Sequence, residues 1–198
     1  MQSQNQMKPM SNNLLQPIDG LNHEYLKIFQ ARTDVVGQPV EPISTAVDSE
    51  GEILQRINDH LSGTCRLGFY NLLPDGTCPW AMVEFEDHGH HKLDNPDQLS
   101  LDFIAHLNSV GVSAYRELSK NPSGHCYHVW IFFENPIAAM KVKLALKALL
   151  NNALGIDTEI FPKGYNTATL GNFVWLPLYG STDCRCHREV ARGNLAYV

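Results

Sequence analysis

Long apolar runs, a secretion signal and a cysteine framework are all missing from this sequence. No apolar run approaches the roughly 20 residues that a membrane-spanning helix needs, and the N-terminus lacks the charged start and apolar centre of a signal peptide. The five cysteines are an odd number without regular spacing, unlike the frameworks of disulfide-rich secreted proteins. These absences argue against a membrane protein or a secreted protein and favour the reducing cytoplasm.

Basic residues are scarce relative to acidic ones. The 198 residues include 15 Lys and Arg against 21 Asp and Glu, which gives a formal net charge of -6. A broad non-specific nucleic-acid surface needs many cations that neutralise phosphates, and this balance argues against one. It leaves room for a narrow basic groove beside an acidic, metal-binding centre.

The chain divides into three predicted segments. Residues 1–18 are rich in Gln, Asn, Ser and Met and have little to bury, which predicts a flexible leader. Residues 19–62 are predicted to form a helical and loop segment that packs on the core. Residues 63–198 are long enough to form one substantial domain.

Hydrophobic periodicity predicts the secondary structure within these segments. Helices are predicted over 19–32, 53–61, 99–110 and 136–154. Strands are predicted over 65–72, 80–85, 112–118, 126–133, 156–161 and 173–178, and prolines and glycines in quick succession predict a loop over 33–51. The middle of the chain therefore has the order strand, helix, strand, strand, helix, strand. This order predicts an α+β sheet with helices on one face and its other face free for a ligand.

The most informative stretch is residues 77–86, TCPWAMVEFE, whose β-branched and aromatic content predicts a buried strand. Side chains at i and i+2 share a strand face, so Glu84 and Glu86 would stand about 6–7 Å apart. Two such carboxylates repel each other unless water, a proton or a cation resolves the repulsion. Phosphoryl-transfer enzymes use a pair of divalent ions for this purpose. An edge strand with a solvated acidic face explains the pair equally well.

Further candidates lie on the neighbouring predicted strands. His128 follows Cys126 by two residues, Asp157 and Glu159 share the i, i+2 spacing, and Lys163 adds a positive charge. The small-residue turn with Ser123 and Gly124 offers backbone N–H groups to phosphates. Each residue alone has an ordinary explanation, such as a hydrogen-bonded core histidine. Together, three carboxylates and a histidine on neighbouring strands would suit two metal ions and a triphosphate.

Four ordered segments resemble the archaeo-eukaryotic primase superfamily, and specifically the primase-polymerases found with CRISPR loci and the related TOTE conflict systems. They are CRLGFYNLLPDGTCPWAMVEFEDHG at 65–89, SGHCYHVWIFF at 123–133, TEIFPKG at 158–164 and LGNFVWLPLYG at 170–180. The resemblance runs from about residue 24 to the end. It implies an RRM-like antiparallel sheet with helices on one face, in which residues 63–198 form a catalytic core. It also implies a nucleotidyltransferase that links NTPs or dNTPs on a DNA or RNA template and primer.

The resemblance assigns roles to individual residues. The family's first acidic motif falls on Glu84 and Glu86 and its third acid on Glu159, which together would hold two Mg²⁺ or Mn²⁺ ions, with Asp157 as the weaker candidate for the third acid. Its small-x-His motif falls on Cys126 and His128, and the lysine of its Phe-Pro-Lys element on Lys163. The expected nucleotide-binding residues are Ser123, Gly124, Cys126, His128 and Lys163.

Two departures from the family pattern leave another function open. The family usually has Asp at the position of Glu84 and a small residue, usually Gly, at the position of Cys126. The alternative is therefore a catalytically weakened or inactive module that binds nucleic acid or nucleotide on the same fold. A metal-dependent nuclease is a third hypothesis, because the same ions serve hydrolysis.

The remaining cysteines do not predict a structural zinc site. Cys184, Cys186 and His187 have the spacing Cys-x-Cys-His, whereas structural zinc sites typically use Cys-x₂₋₄-Cys and about four ligands. His88, His90 and His91 would have to complete such a site. We favour a polar loop whose arginines meet a nucleic-acid backbone.

Overall fold

The computed structural model describes residues 21–29, 31–38, 43–119, 125–168 and 170–180. The predicted leader, Ser123, Gly124 and the cysteines at 184 and 186 lie outside these residues. The helices are α1 (Leu21–Phe29), α2 (Glu50–Leu61), α3 (Pro96–Ser109) and α4 (Ala139–Leu154). The strands are β1 (Val35–Gln38), β2 (Ile43–Ala46), β3 (Gly68–Tyr70), β4 (Thr77–Glu86), β5 (Tyr115–Ser119), β6 (Cys126–Ala138), β7 (Ile160–Phe161) and β8 (Phe173–Trp175). Within the described residues, no helix combines the length and the apolar character needed to cross a membrane.

Four strands form a central sheet in the order β5, β6, β4, β7, and every neighbouring pair is antiparallel. Along the chain its elements run β4, α3, β5, β6, α4, β7, which confirms the predicted order. The α+β class with an antiparallel sheet is therefore confirmed. The two long strands, β4 and β6, lie inside the sheet, so neighbouring strands on both sides fix the positions of their residues.

One face of the central sheet is covered by α3 and α4. Phe85 of β4 and Val129 of β6 share a buried cluster with Phe103 of α3 and Leu146 of α4. The rings of Phe85 and Phe103 lie 5.8 Å apart. Burial of one such side chain stabilises the fold by about 1.5–3 kcal/mol. This cluster therefore holds the sheet in place and fixes the positions of the residues on its opposite face.

A second, outer sheet has the strand order β2, β1, β3, β8 and covers part of the opposite face. Trp80, Met82 and Trp130 of the central sheet share a buried cluster with Phe69 of β3 and Val174 of β8. Residues of α1 and α2 belong to the same cluster. The prediction that this face is free for a ligand is therefore wrong for its apolar half. The half beyond Met82, which carries the acidic residues, stays open.

The predicted loop over 33–51 is also wrong, because it contains the antiparallel hairpin of β1 and β2. Each strand has only four residues, which is too short to show the period of a strand. Gly37 of β1 lies beneath the ring of Phe173, and a Cβ at Gly37 would come within 2.4 Å of that ring. Local sequence patterns do not predict a contact between residues so distant along the chain.

Several predicted boundaries change as well, and three of the changes are the largest or lie nearest the acidic residues. The helix predicted from 136 begins at Ala139, because β6 continues to Ala138 and pairs Ile137 with Cys78. The strand predicted over 173–178 ends at Trp175. The strand predicted over 156–161 is confined to Ile160–Phe161, so the acids at 157 and 159 do not share a strand face.

His60 is a fully buried histidine that joins α2 to the outer sheet. Its Nε2–H donates to the carbonyl oxygen of Pro177 at 2.8 Å, and its Nδ1 accepts the N–H of Leu67 at 3.0 Å. This arrangement needs the neutral imidazole, because a proton on Nδ1 would face the N–H of Leu67. Burial lowers the pKa of His60 from 6.5 to about 4, although the bond to Pro177 opposes the shift.

We therefore expect His60 to contribute less stability to the protein as the pH falls from about 7.5 to about 5. The unfolded chain protonates His60 near pH 6.5, whereas the folded protein does so only near pH 4, so acid favours the unfolded state. The contribution of His60 is complete above pH 6.5, and about 2 kcal/mol of it is lost by pH 5. Urea unfolding of the wild type and of His60→Gln at both pH values isolates this contribution, because the two proteins share their other titrations. An equal loss of stability in the two proteins would contradict the expectation.

Candidate active site

The open half of the central sheet carries its side chains in rows that run across β4, β6 and β5. The register gives three successive rows: Met82, Trp130 and Tyr115; Glu84, His128 and Glu117; Glu86, Cys126 and Ser119. The first row is apolar and packs against the outer sheet. The second and third rows are polar. The chemistry-bearing residues therefore begin where the cover of the outer sheet ends.

His128 lies between two carboxylates in the second row. Its Nδ1 is 3.2 Å from Oε2 of Glu117, and its Nε2 is 3.5 Å from Oε1 of Glu84. Oε2 of Glu117 also accepts the Nε1–H of Trp130 at 3.0 Å. Two donors thus fix the carboxylate of Glu117, and Glu117 in turn fixes the orientation of the imidazole ring.

Hydrogen bonds and charges within this row set the protonation states of His128 and Glu84. Burial opposes the charged form of His128, but hydrogen bonds to Cys126, Glu117 and Glu84 raise its pKa well above 6.5. Burial opposes the charged form of Glu84 too, yet the hydrogen bond with His128 and its charge lower the pKa of Glu84 to about 2. Glu84 is therefore an ionised carboxylate beside an imidazolium at neutral pH.

Cys126 completes a compact group with these two residues. Its Sγ–H donates to Oε1 of Glu84 at 3.2 Å. Within the described residues, Glu84, Cys126 and His128 are the group whose three potential metal-ligating atoms all lie within 4.8 Å of one another. The other two predicted metal ligands, Glu86 and Glu159, lie outside that group.

Glu86 is held by the loop that follows β4. Nε2 of His88 lies 3.2 Å from Oε2 of Glu86. Gly89 has φ +72° and leaves room for the carboxylate, since a Cβ there would lie 2.6 Å from Oε1 of Glu86. Burial raises the pKa of Glu86, and the charges of Glu84 and Glu159 raise it further. Glu86 is thus close enough to the other two predicted acids to be repelled by both.

The segment before β7 brings Glu159 beside β4. The N–H of Glu84 donates to the carbonyl oxygen of Glu159 at 2.9 Å, and the hydroxyl of Thr158 donates to the carbonyl oxygen of Glu84. The carboxylate of Glu159 lies 2.6 Å from Nζ of Lys163. Asp157 lies apart: its side chain is 72% exposed and pairs with Lys147 of α4 at 3.7 Å. The structure therefore brings Glu159, and not Asp157, to the site.

A cavity of about 200 Å³ opens over the second row, between the central sheet and β8. It is lined by Met82, Glu84, His128, Phe161, Lys163, Asn172, Phe173, Val174 and Trp175. Acidic and basic groups thus share one small space with aromatic residues. Three of the predicted site residues, Glu84, His128 and Lys163, line it.

Two residues that contact the candidate site or its loops were missed by the sequence reasoning. Glu117 belongs to the predicted strand at 112–118, but its place beside His128 depends on the register between β5 and β6. Asp87 accepts the N–H of His125 at 3.0 Å, and its other oxygen lies 3.2 Å from Nδ1 of His125. This pair ties the loop after β4 to the start of β6. The signal that could have identified Asp87 is its position in the sequence, directly after Glu86.

An antiparallel α+β fold with acids, a histidine and a lysine around one cavity fits a nucleotidyltransferase of the primase type. The sequence model of one protein family, the archaeo-eukaryotic primase domain of TOTE conflict systems, matches residues 52–186, which is more than half of the chain. The chain belongs to this family, as its ordered motifs predicted. The matched residues include all the predicted site residues. Comparison with curated proteins gives no match.

Proposed function

We propose that the protein is a template-dependent primase-polymerase, which adds nucleotides to a DNA or RNA primer or to an initiating nucleotide. The observation that carries this proposal is the cavity in which Glu84, His128 and Lys163 meet. The cavity is lined by one carboxylate, which suits a metal ion, and by two positively charged side chains, which suit phosphate oxygens. Family membership supports the primase-like class of reaction.

The acids of the site suit Mg²⁺ or Mn²⁺. Both ions prefer carboxylate oxygens, and the charges of Glu84 and Glu159 raise the pKa of Glu86, which shows a repulsion that cations would relieve. Glu84, Glu86 and Glu159 would hold two ions. When bound, such ions lower the barrier to attack of a 3′-hydroxyl on an α-phosphate.

The cationic residues of the site suit the incoming nucleotide. The imidazolium of His128 is fixed by Glu117 through Nδ1. Its Nε2 lies 3.5 Å from Oε1 of Glu84, which is long for a hydrogen bond, and the residue lines the cavity. Nε2–H is therefore the group that can donate to a phosphate oxygen, and Lys163 supplies a second positive charge. Phe173 and Trp175 in the cavity lining provide aromatic surface of the kind on which nucleobases stack.

One observation favours the alternative of a non-catalytic module that binds nucleic acid or nucleotide. Glu86 already pairs with His88, and Glu159 already pairs with Lys163. Each pair engages one carboxylate oxygen and offsets part of the negative charge that would attract two ions. If the remaining charge does not hold two ions, the site would bind a nucleotide without transferring it.

Primer extension tests the proposal directly. We expect the wild type to extend a labelled primer with Mn²⁺ or Mg²⁺, and His128→Ala to lose roughly 10²-fold in rate, the size expected when a donor to developing charge is removed. Glu86→Ala should lose activity similarly, because it removes one of the three acids. Glu134→Gln is the matched control, since Glu134 is an exposed acid on β6 beyond the site and should retain the rate.

The same assay separates the other hypotheses. Binding of nucleotide or template without extension by the wild type would support the inactive module. Shortening of the template or primer would support a nuclease. Extension that survives both His128→Ala and Glu86→Ala would place the active site elsewhere.

A further inference from the structure

Cys126 has no role in the proposed transfer of nucleotides beyond its place near the nucleotide, yet its Sγ lies 3.2 Å from Oε1 of Glu84 and within 4.8 Å of a ring nitrogen of His128. We propose that Glu84, Cys126 and His128 bind one thiophilic divalent ion of the zinc class through Oε1, Sγ and Nε2. This site goes beyond the proposed function, and it would exist in an inactive binding module as well as in a polymerase. Because the ion uses Oε1 of Glu84 and Nε2 of His128, this ion and the nucleotide-bound state proposed above would exclude each other.

Two of the three spacings among these atoms are close to those around a tetrahedral ion, and all three atoms lie within 4.8 Å of one another. Sγ of Cys126 lies 3.2 Å from Oε1 of Glu84, and Nε2 of His128 lies 3.5 Å from the same oxygen. Zinc bonds of about 2.0–2.3 Å in a tetrahedron place neighbouring ligand atoms roughly 3.3–3.6 Å apart. The observed separations match these edges within a few tenths of an ångström.

The type of ligand sets the type of metal. A thiolate is a soft ligand that selects Zn²⁺ and chemically related ions, whereas Mg²⁺ takes carboxylate, carbonyl and water oxygens. One thiolate, one imidazole and one carboxylate are a mixed set of the kind that zinc accepts. Binding releases the Sγ proton and the Nε2 proton to solvent, so that a thiolate and a neutral imidazole hold the ion.

A second observation points to a metal at Nε2 of His128. Histidine ligands almost always donate their other ring N–H to a carboxylate or carbonyl, which fixes the ring and its tautomer. Glu117 lies 3.2 Å from Nδ1 of His128, and Trp130 holds the carboxylate of Glu117 in place. The ring is therefore already oriented as in a zinc-bound histidine, with Nε2 aimed at Glu84 and Cys126.

The backbone supports the same geometry. Glu84 and His128 are register partners on β4 and β6, and Cys126 shares the face of β6 with His128. Ligands on paired inner strands are held more precisely than ligands on loops. Because Glu84 and His128 also line the 200 Å³ cavity, the fourth position of the ion would open to water or to a phosphate oxygen rather than be closed by protein.

Cobalt substitution tests the proposal with a signal other than activity. Co²⁺ bound to a thiolate gives a sulfur-to-cobalt charge-transfer band, and tetrahedral Co²⁺ gives intense visible bands. We expect the full chain, kept reduced and free of other metals, to develop both signals with one equivalent of Co²⁺. Zn²⁺ should abolish them, and a large excess of Mg²⁺ should not. Absence of saturable bands, or their loss to Mg²⁺, would overturn the proposal.

Matched variants assign the ligands. Cys126→Ser should lose the charge-transfer band, whereas Cys65→Ser should keep it, because Cys65 lies outside the group. The pair Cys184→Ser with Cys186→Ser should also keep the band, which controls for binding by these two thiols. Glu117→Gln should keep the band and weaken Co²⁺ binding roughly 10–100-fold, as expected for a residue that orients a ligand. A band that survives Cys126→Ser, or disappears with Cys184 and Cys186, would overturn the proposal.

The result is independent of primer extension. A protein that binds Co²⁺ through Cys126 but does not extend a primer when it is free of Co²⁺ and supplied with Mg²⁺ or Mn²⁺ would refute the polymerase proposal alone. A protein that extends a primer and gives no band would refute the thiolate site alone. Circular dichroism of each variant confirms that a lost band does not reflect unfolding.

Discussion

Replacing Glu84 with glutamine is expected to lower the rate of nucleotide incorporation by about 10³-fold, because charge stabilisation by a bound metal is worth several kcal/mol and each 1.36 kcal/mol is about tenfold in rate. Glu84 is the one predicted acid that reaches into both the cavity and the group with Cys126 and His128. Its pKa of about 2 means that it is ionised at neutral pH. Glutamine keeps the shape and removes the charge.

Single-turnover primer extension with saturating Mn²⁺ measures this effect on the chemical step. Glu134→Gln, an exposed acid on β6, controls for the loss of one negative charge. Mn²⁺ above its saturating concentration should not restore the rate of Glu84→Gln, because the site is then occupied and the missing charge of the ligand is not replaced. A rate within about tenfold of the wild type would contradict the assignment of Glu84 as a metal ligand.

The architecture was predictable because its signals are local. The apolar runs that became β4 and β6 and the amphipathic segments that became α3 and α4 are visible within short windows of sequence. The hairpin of β1 and β2 was not predictable, since its strands are four residues long and Gly37 accommodates a ring from β8. The later start of the helix predicted from 136 depends likewise on pairing, because β6 extends along β4 as far as Ala138.

The candidate site shows the same division between local and distant information. The i, i+2 spacing placed Glu84 with Glu86 and Cys126 with His128 on strand faces, and the register joins these faces into rows. Glu117 escaped prediction because its position beside His128 follows from the pairing of β5 with β6. Asp157 and Glu159 were expected on one strand face, but the strand begins only at Ile160, and the two acids diverge. The roles of the site residues stay predictions until the variants are measured.

The stability of the site depends on a tryptophan that lies beside it. Trp80 has no exposed surface, its ring lies 5.3 Å from that of Trp130, and its Nε1–H donates to the carbonyl oxygen of Phe29 at 2.9 Å. It belongs to the buried cluster that joins the central sheet to Val174 of β8. Trp80 therefore holds α1 and the outer sheet against the strand that carries Glu84.

We expect Trp80→Ala to lower the free energy of unfolding by about 4 kcal/mol, because the substitution removes a large buried side chain and leaves a cavity. The carbonyl oxygen of Phe29 would also lose its donor, which adds to the cost. Urea unfolding followed by circular dichroism measures the loss. Trp80→Phe is the matched variant: it keeps an aromatic ring, loses the N–H, and should cost less than half as much. It also keeps the expectation testable if Trp80→Ala does not fold.

Substitution of Trp80 should affect nucleotide binding in the cavity as well as the stability of the core. Val174, which lines the cavity, shares the cluster with Trp80, so a looser cluster lets β8 move away from Glu84 and His128. We therefore expect Trp80→Phe to weaken nucleotide binding under conditions in which the protein is still folded, measured by equilibrium titration with a fluorescent nucleotide. Unchanged binding together with reduced stability would show that β8 is positioned by other contacts, such as the packing of Phe173 on Gly37 and Gly68. Trp80 would then serve the stability of the two sheets without setting the shape of the site.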